Sequence, residues 1–386
     1  MRTPSLRPAA LATLALLATA CGTAQPAARR PDPPRGATAG PIDPPRATAV
    51  PVDPPRATAV ERLPPPVGAV LERHFRVRAG VVALATADGS LWVSGSGAIS
   101  RIDPATGRLL ARIATPSAGD LTHMAIGEGS VWATGDYDAS VVYRIDPVTD
   151  RVAATISTPG PALGIAVGGG RVWVAIDREG PGEVIGIDPR TDRVTGAPIE
   201  VGTGPGQLVY GDGALWVENT APASVMRIDP AAGRAVPIIG PLVVNYGATV
   251  LGAIAVGYGS LWSTANDHLT RLNPKTDQVT ANLRIPRGNE VALAAGEAWV
   301  LAEPRSTSAA AFHPVRHTAA LYEVDPRDDG PVGKPVRLDA EEPIALTATD
   351  KRLWVGDYTT ETVTELRLVP RHAGPRLTQG GSLHPR

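Results

Sequence analysis

The sequence predicts an all-β fold, a seven-bladed β-propeller with four-stranded antiparallel blades, and three observations predict it. All seven tryptophans sit in one local pattern: GSLWVS (Trp92), GSVWAT (Trp132), GRVWVA (Trp173), GALWVE (Trp216), GSLWST (Trp262), GEAWVL (Trp299) and KRLWVG (Trp354). A second marker follows each of the first six: RIDPATGR, RIDPVTDR, GIDPRTDR, RIDPAAGR, RLNPKTDQ and EVDPRDDG. The tryptophans are 40, 41, 43, 46, 37 and 55 residues apart. A period near 40 built from short apolar runs is the sequence signature of propeller blades.

The elements follow in chain order. Arg2 and Arg7 precede an apolar run, Ala9 to Ala20, which is too short to span a bilayer as a helix and ends in Ala18-Thr19-Ala20 before Cys21. This is the order of an export signal, 1–20, with Cys21 as the lipidated residue of a lipoprotein. Ala18 stands where a lipobox usually has Leu, and the same small residues also suit plain secretion. Cys21 is the sole cysteine, so no intramolecular disulfide forms. Residues 21–66 repeat a Pro-rich unit (PPRGATAGPID, PPRATAVPVD, PPRATAVERL) with little to bury. They read as a disordered, extended stalk of about 140 Å reach at about 3.1 Å per residue.

The propeller is expected over 67–369 and a disordered, basic tail over 370–386. Repeat three shows the anatomy: ALGIAVGGG, RVWVAID, GEVIGIDP and RVTGAPIEV are four strands of four to eight residues between turn formers. In Asp188-Pro189-Arg190-Thr191 the aspartate side chain caps the turn and proline presets φ. Repeat seven offers ALTATD, RLWVGDY and TVTELRL but no fourth strand, while 69–77, AVLERHFRV, precede the first strand of repeat one with no other place to go. They are expected to supply the missing outer strand and so join the two ends of the chain.

The VxVGxGxLWV…RIDPxTxRVxAxI pattern resembles the YVTN-type (YncE-like) propeller repeats of bacterial exported proteins over about four-fifths of the chain. The aromatic is not followed by the aspartate of a WD repeat. The resemblance implies a binding or scaffolding role in the cell envelope, at the outer face of the cytoplasmic membrane when the anchor is kept. It implies no common substrate.

A net charge of -1 argues against a nucleic-acid partner and against electrostatic adhesion to anionic lipid, so contact with a membrane is expected through the lipid alone. The tryptophans recur at one position in every repeat, which assigns them to packing between repeats rather than to ligand stacking. Each Asp-Pro turn supplies one or two oxygens where calcium needs six to eight.

A site needs residues that break the repeat. Counting nine back from each tryptophan gives Ala83, His123, Gly164, Gln207, Ala253, Glu290 and Ala345 near the channel mouth. The polar three, His123, Gln207 and Glu290, are the candidate ligand residues. The loops after the tryptophan strands add Asp136, Asp138, Asp177, Glu179, Glu218, Asp267, Glu303, Asp357 and Tyr358, so this face is expected to be acidic and polar. It suits a cationic or polyhydroxy small ligand, or an envelope protein. The insertion 303–320 holds His313 and His317, a weak metal pair interrupted by Pro314.

No nucleophile elbow, zinc-protease motif or phosphate loop occurs, so no catalytic residue, metal or cofactor is assigned and a monomeric binding module is expected. The alternative is a metal-dependent lyase or lactonase of the virginiamycin B lyase type. Its repeats tend to read LWFTE, and here only His123 and Glu290 offer such chemistry, four repeats apart. A quinone-dependent dehydrogenase would need a repeat that this chain lacks.

Overall fold

The computed structural model describes residues 67–77, 80–116, 119–221, 223–239, 251–265, 267–303 and 318–371. Every described residue lies in one compact unit, Glu61–Arg386. The export signal, Cys21, the stalk and the His313/His317 pair lie outside the described residues, as does the tail from 372 onward.

All named elements among the described residues are strands, in six antiparallel sheets. The Trp92 sheet runs Ala83–Ala87, Ser90–Gly95, Ala98–Asp103 and Arg108–Ala114. The Trp132 sheet (Met124–Gly127, Ser130–Thr134, Val141–Asp146, Arg151–Ser157) and the Trp262 sheet (Leu251–Gly257, Ser260–Ala265, His268–Asn273, Gln278–Arg284) repeat that order.

Two sheets depart from the four-strand expectation. Repeats three and four are fused by Arg193–Gly211, a 19-residue strand where two shorter ones were expected. Its first part pairs with Pro181–Asp188 and its second with Ala214–Ala221, and Thr203 has a partner on each side. In repeat six the outer strand is split, so that Gly330–Pro331 and Val336–Asp339 both pair with Thr318–Asp325.

The last sheet joins the two ends of the chain. Val67–Arg76 pairs with Thr362–Pro370, outside Arg352–Asp357 and Pro343–Thr349, as the orphan segment implied. The tail begins later than expected: Pro370 is paired with Val67, and Arg371 donates to the Val67 carbonyl and to Glu323. The first strands of successive sheets are neighbours in one cycle. Ala83–Ala87 adjoins Met124–Gly127, and Ala162–Gly168, Arg193–Gly211, Leu251–Gly257, Gly288–Ala294 and Pro343–Thr349 follow before the return to Ala83–Ala87. The arrangement fits a β-propeller.

Local sequence accounts for the hairpins. Asp88 and Gly89 both have positive φ, 49° and 69°, the two-residue turn whose twist matches that of paired strands. At each Asp-Pro turn the aspartate caps as expected: Asp188 Oδ1 accepts from Arg190 N at 2.9 Å, chiefly through which its carboxyl sits below the usual range.

The tryptophans are buried, none more than 6% exposed. Each packs with apolar side chains of its own and a neighbouring repeat, as Trp132 does with Ile165, Val174 and Ile187. They are core, as the repetition indicated.

The arginine of the RID marker ties neighbouring repeats together. In register with its tryptophan, Arg144 lies 5.6 Å over the Trp132 ring and donates to Ser130 Oγ at 2.9 Å. It also reaches the Asp-Pro turn of the next repeat, bonding the Pro189 carbonyl and Asp192 at 3.0 Å. Arg101 does the same toward Pro147 and Asp150, and Arg271 toward Pro326 and Asp329. The aspartates that receive these arginines are left-handed residues, with φ of 53°, 57° and 51°.

Where the marker changes, its partner changes too. Repeat three has Gly186 in place of the arginine, and Arg171, from the position that is serine in repeats one, two and five, lies 5.9 Å over Trp173. The turn of repeat four correspondingly has Gly233 where the receiving aspartate would stand. At the closure the polarity inverts. Glu323 and Glu365 oppose Trp299 and Trp354, and they receive Arg371 and Arg73. Arg73 also reaches the Pro104 carbonyl of the repeat-one turn.

Removing one such clasp has a measurable cost. Arg144→Ala loses three hydrogen bonds and the ring contact, so the expected loss is about 2 kcal/mol. Arg144→Lys is expected to recover less than half, because an ammonium does not reproduce the fork. Urea unfolding checks this, and unchanged midpoints would remove the clasp from the account of stability.

Candidate functional site

The inner strands border an open cavity of about 440 Å³, and two of the predicted site residues, His123 and Gln207, line it with Tyr210 and Leu293. His123 precedes Met124–Gly127. Its backbone N–H donates to Thr134 Oγ1, while its Nδ1 is enclosed without a partner among the described residues. Burial holds its imidazole well below the usual value, at about 4, so it is neutral at physiological pH. Gln207 Oε1 accepts from the Ile254 backbone N–H of the following repeat, which fixes the amide and leaves its NH₂ as a donor.

Glu290 does not line this cavity. It sits on Gly288–Ala294, while Glu218, another predicted residue, stands near the end of the Trp216 strand. Glu218 is only 2% exposed, and its one hydrogen bond among the described residues is from Ser263 Oγ at 3.2 Å. Burial pushes its carboxyl up to about 8. Glu290 is pushed up to about 8 as well, by burial first and by the Glu218 charge second. Neither carboxylate has a basic partner among the described residues. The structure thus brings His123 and Gln207 to one cavity, and Glu218 and Glu290 are not among its lining residues.

The remaining predicted residues divide. Asp357 is 2% exposed and fully used: its carboxylate accepts from the backbone N–H groups of Glu341, Glu342 and Thr360 at 2.6–3.0 Å. It organises loops and presents nothing to a ligand, which corrects its place among the ligand-facing residues. Tyr358 donates to Asp120 Oδ2 at 3.0 Å, and Asp120 also accepts from Ser96, so three loops are tied across the closure. Burial and Asp120 raise the Tyr358 hydroxyl above its usual range. Asp136 accepts from its neighbour Tyr137 N, and Asp177 likewise from Arg178 N, both on exposed loops. Glu303 bonds Arg287 and Asn289.

Sequence reasoning missed Ser263 and Asp120. Ser263 had a readable signal, since it follows Trp262 where every other repeat has Val or Ala. Asp120 had none. Among the described residues no three His, Cys, Asp or Glu side chains converge as metal ligands would.

No family model matches the chain, and no curated protein matches it. Among solved structures it is similar to a chain of Kuenenia stuttgartiensis hydrazine synthase, with a TM-score of 0.59 and 14% identity over 79% of this chain and 100% of that one. At that identity the likeness concerns the fold, and it fits a β-propeller.

Proposed function

We propose that this chain is a cell-envelope binding module: a closed seven-bladed propeller of YVTN-repeat type, exported, held by a lipid on Cys21 and carried on a Pro-rich stalk, that binds a small polar ligand or an envelope protein at its channel mouth. The count of seven rests on the seven Trp repeats, on reading the fused sheet as two blades that share Arg193–Gly211, and on the cycle of seven inner strands. One observation carries the site. An open cavity of about 440 Å³ along the inner strands has the repeat-breaking His123 and Gln207 in its lining. Concave, mostly apolar sites with a few convergent polar groups are where small ligands bind.

The site offers no activated nucleophile and no matched acid–base pair in contact, so binding without turnover is the reading it supports. The test is the full chain, purified gently from membranes and examined by native mass spectrometry beside a His123→Ala, Gln207→Ala, Glu290→Ala triple variant of intact fold. A small-molecule or protein mass carried by the wild type and lost in the variant is the expected result. Equal recovery from both would move the function off the channel mouth. A stoichiometric divalent metal lost in the variant would replace binding with metal-dependent lyase or lactonase chemistry.

A further inference from the structure

We propose that the cavity along the inner strands takes a small uncharged polyhydroxy ligand of sugar size, held through the side chains of His123, Gln207 and Tyr210 and the open backbone edges of the inner strands. This rests on the binding reading above and names the chemistry of the ligand.

The lining selects against charge. Among the described residues His123, Gln207 and Tyr210 are the polar side chains that line the cavity, and no carboxylate, lysine or arginine stands with them. Burial keeps the His123 imidazole neutral, so the lining holds no charged side chain. The acidity expected of this face is carried by its loops, where Asp136 and Asp177 accept from backbone N–H groups of their own loops. A charged ligand would leave water for a lining without a counter-charge. A neutral hydroxylated one exchanges hydrogen bonds to water for hydrogen bonds to the wall.

Each polar side chain has a group to offer. Gln207 Oε1 is taken by the Ile254 backbone N–H, so its NH₂ remains as a donor. His123 Nδ1 is enclosed, which leaves Nε2 as the ring nitrogen able to meet a ligand. At their depth repeat three contributes Gly164, so no side chain of that repeat stands between them, and a Cβ there would collide with the Gly206 carbonyl. Tyr210 breaks the repeat as they do. It stands six residues before its tryptophan, where repeats two, three, five and six have Ile126, Val167, Val256 and Leu293. Its ring lies on Gly168 of the preceding repeat, a contact that any Cβ would prevent. A phenol in an aliphatic ring of residues gives a flat face for C–H groups and a hydroxyl that both donates and accepts.

The backbone completes the wall. Met124–Gly127, Ala162–Gly168 and Leu251–Gly257 each pair with one neighbour, the tryptophan strand of their own sheet. Alternate N–H and C=O groups on the other edge therefore stay open. A polyol matches such an edge, because every hydroxyl can donate and accept. A volume of about 440 Å³ lies at the small end of ligand pockets and suits a mono- or disaccharide.

The test is saturation-transfer NMR on the full chain at pH 6, where His123 is neutral and an amino sugar is charged. The probes are glucose, galactose and mannose, each beside its amino sugar and its uronic acid. At least one neutral hexose is expected to bind, and its two charged counterparts at least about tenfold more weakly. Gln207→Glu keeps the acceptor for Ile254 but loses the donor, and is expected to weaken that hexose at least about tenfold. Tyr210→Phe removes the hydroxyl alone and is expected to weaken it about threefold. Circular dichroism checks that both variants are folded.

Charged sugars bound as tightly as the neutral ones, hexose binding indifferent to both variants, or no binding of any of these sugars overturns the polyhydroxy assignment. The channel-mouth reading survives that outcome if a co-purifying mass is still lost in the triple variant, and falls with it if none is.

Discussion

Deleting Val67 to Val77 is expected to abolish cooperative folding, even though these residues precede the first repeat. The segment is the outer strand of the last sheet, paired with Thr362–Pro370 over its length. Its loss exposes Thr362–Pro370 as a long unpaired edge and opens the contact between repeat seven and repeat one. It also removes Arg73, which bonds the fully buried Glu365 and the Pro104 carbonyl of repeat one. Glu365 keeps Arg352 at 2.9 Å, so this loss alone is on the order of 1–2 kcal/mol and adds to the exposed edge and the opened core. Val77 goes too, from a cluster that holds Val81, Leu91 and Trp354, one side from each end of the chain.

The sum reaches the whole stability of an ordinary domain, so the deletion should yield aggregated or molten protein. Arg73→Ala is the milder companion, expected to cost about 1–2 kcal/mol in urea unfolding with the strand and the ion pair of Arg352 with Glu365 still in place. A deletion of 22–60 is the control, expected to leave the midpoint unchanged. Equal midpoints for the Val67–Val77 deletion and the parent would disprove closure by this strand.

Closure was legible in the sequence because it is a matter of counting: one repeat lacked a strand and one segment lacked a repeat. The tryptophan core and the Asp-Pro turns were legible for the same reason, since every repeat needs them. What the period could not show is how strongly one repeat depends on the next. Arg171 and Gly186 exchange places in repeat three, and the change reads as drift until the guanidinium is seen over Trp173. The fused Arg193–Gly211 strand escaped because Gly202, Gly204 and Gly206 look like a loop. Gly202 and Gly204 instead lie where a Cβ would collide with Asn219 and Thr220 of the adjoining strand.

Less of the candidate site was legible. Counting back from each tryptophan finds residues at equal depth, and two of them, His123 and Gln207, line one cavity. Depth does not say what else a side chain meets, so Glu290, at the same depth, lies off that lining. Asp357 carried the opposite error. An acidic residue in a loop looks like a ligand until its oxygens are seen to be spent on backbone N–H groups.

Stability is expected to fall as pH rises from about 5 to 8, the reverse of the usual behaviour of a carboxylate-rich protein. Burial pushes Glu218, Glu290 and Glu297 up to about 8 and Glu323 to about 7. In the unfolded chain each returns to about 4.3. Between these values the folded state keeps a proton that the unfolded state has released. The unfolded state binds fewer protons, and the unfolding free energy therefore decreases with pH.

The stabilisation is fully present below about pH 4.5 and is lost as pH passes through the folded values. His123 works the other way, but only between its folded value near 4 and its ordinary one near 6.5. The net loss is therefore expected to be steepest around pH 6–7 and to level off as pH approaches 8, where the folded glutamates themselves ionise. The capping aspartates, Asp103, Asp146, Asp188 and Asp229, lie below the usual range and matter only in stronger acid.

Glu218, almost wholly buried, sets the scale at about 1.4 kcal/mol per pH unit and on the order of 4 kcal/mol across the window. Urea midpoints at pH 5, 6.5 and 8 measure the slope. Glu218→Gln combined with Glu290→Gln should flatten it by about half and raise stability at pH 8, because an amide cannot ionise where the carboxyl must. A parent profile that rises from pH 5 to 8 would mean that these glutamates are hydrated and charged in the folded protein.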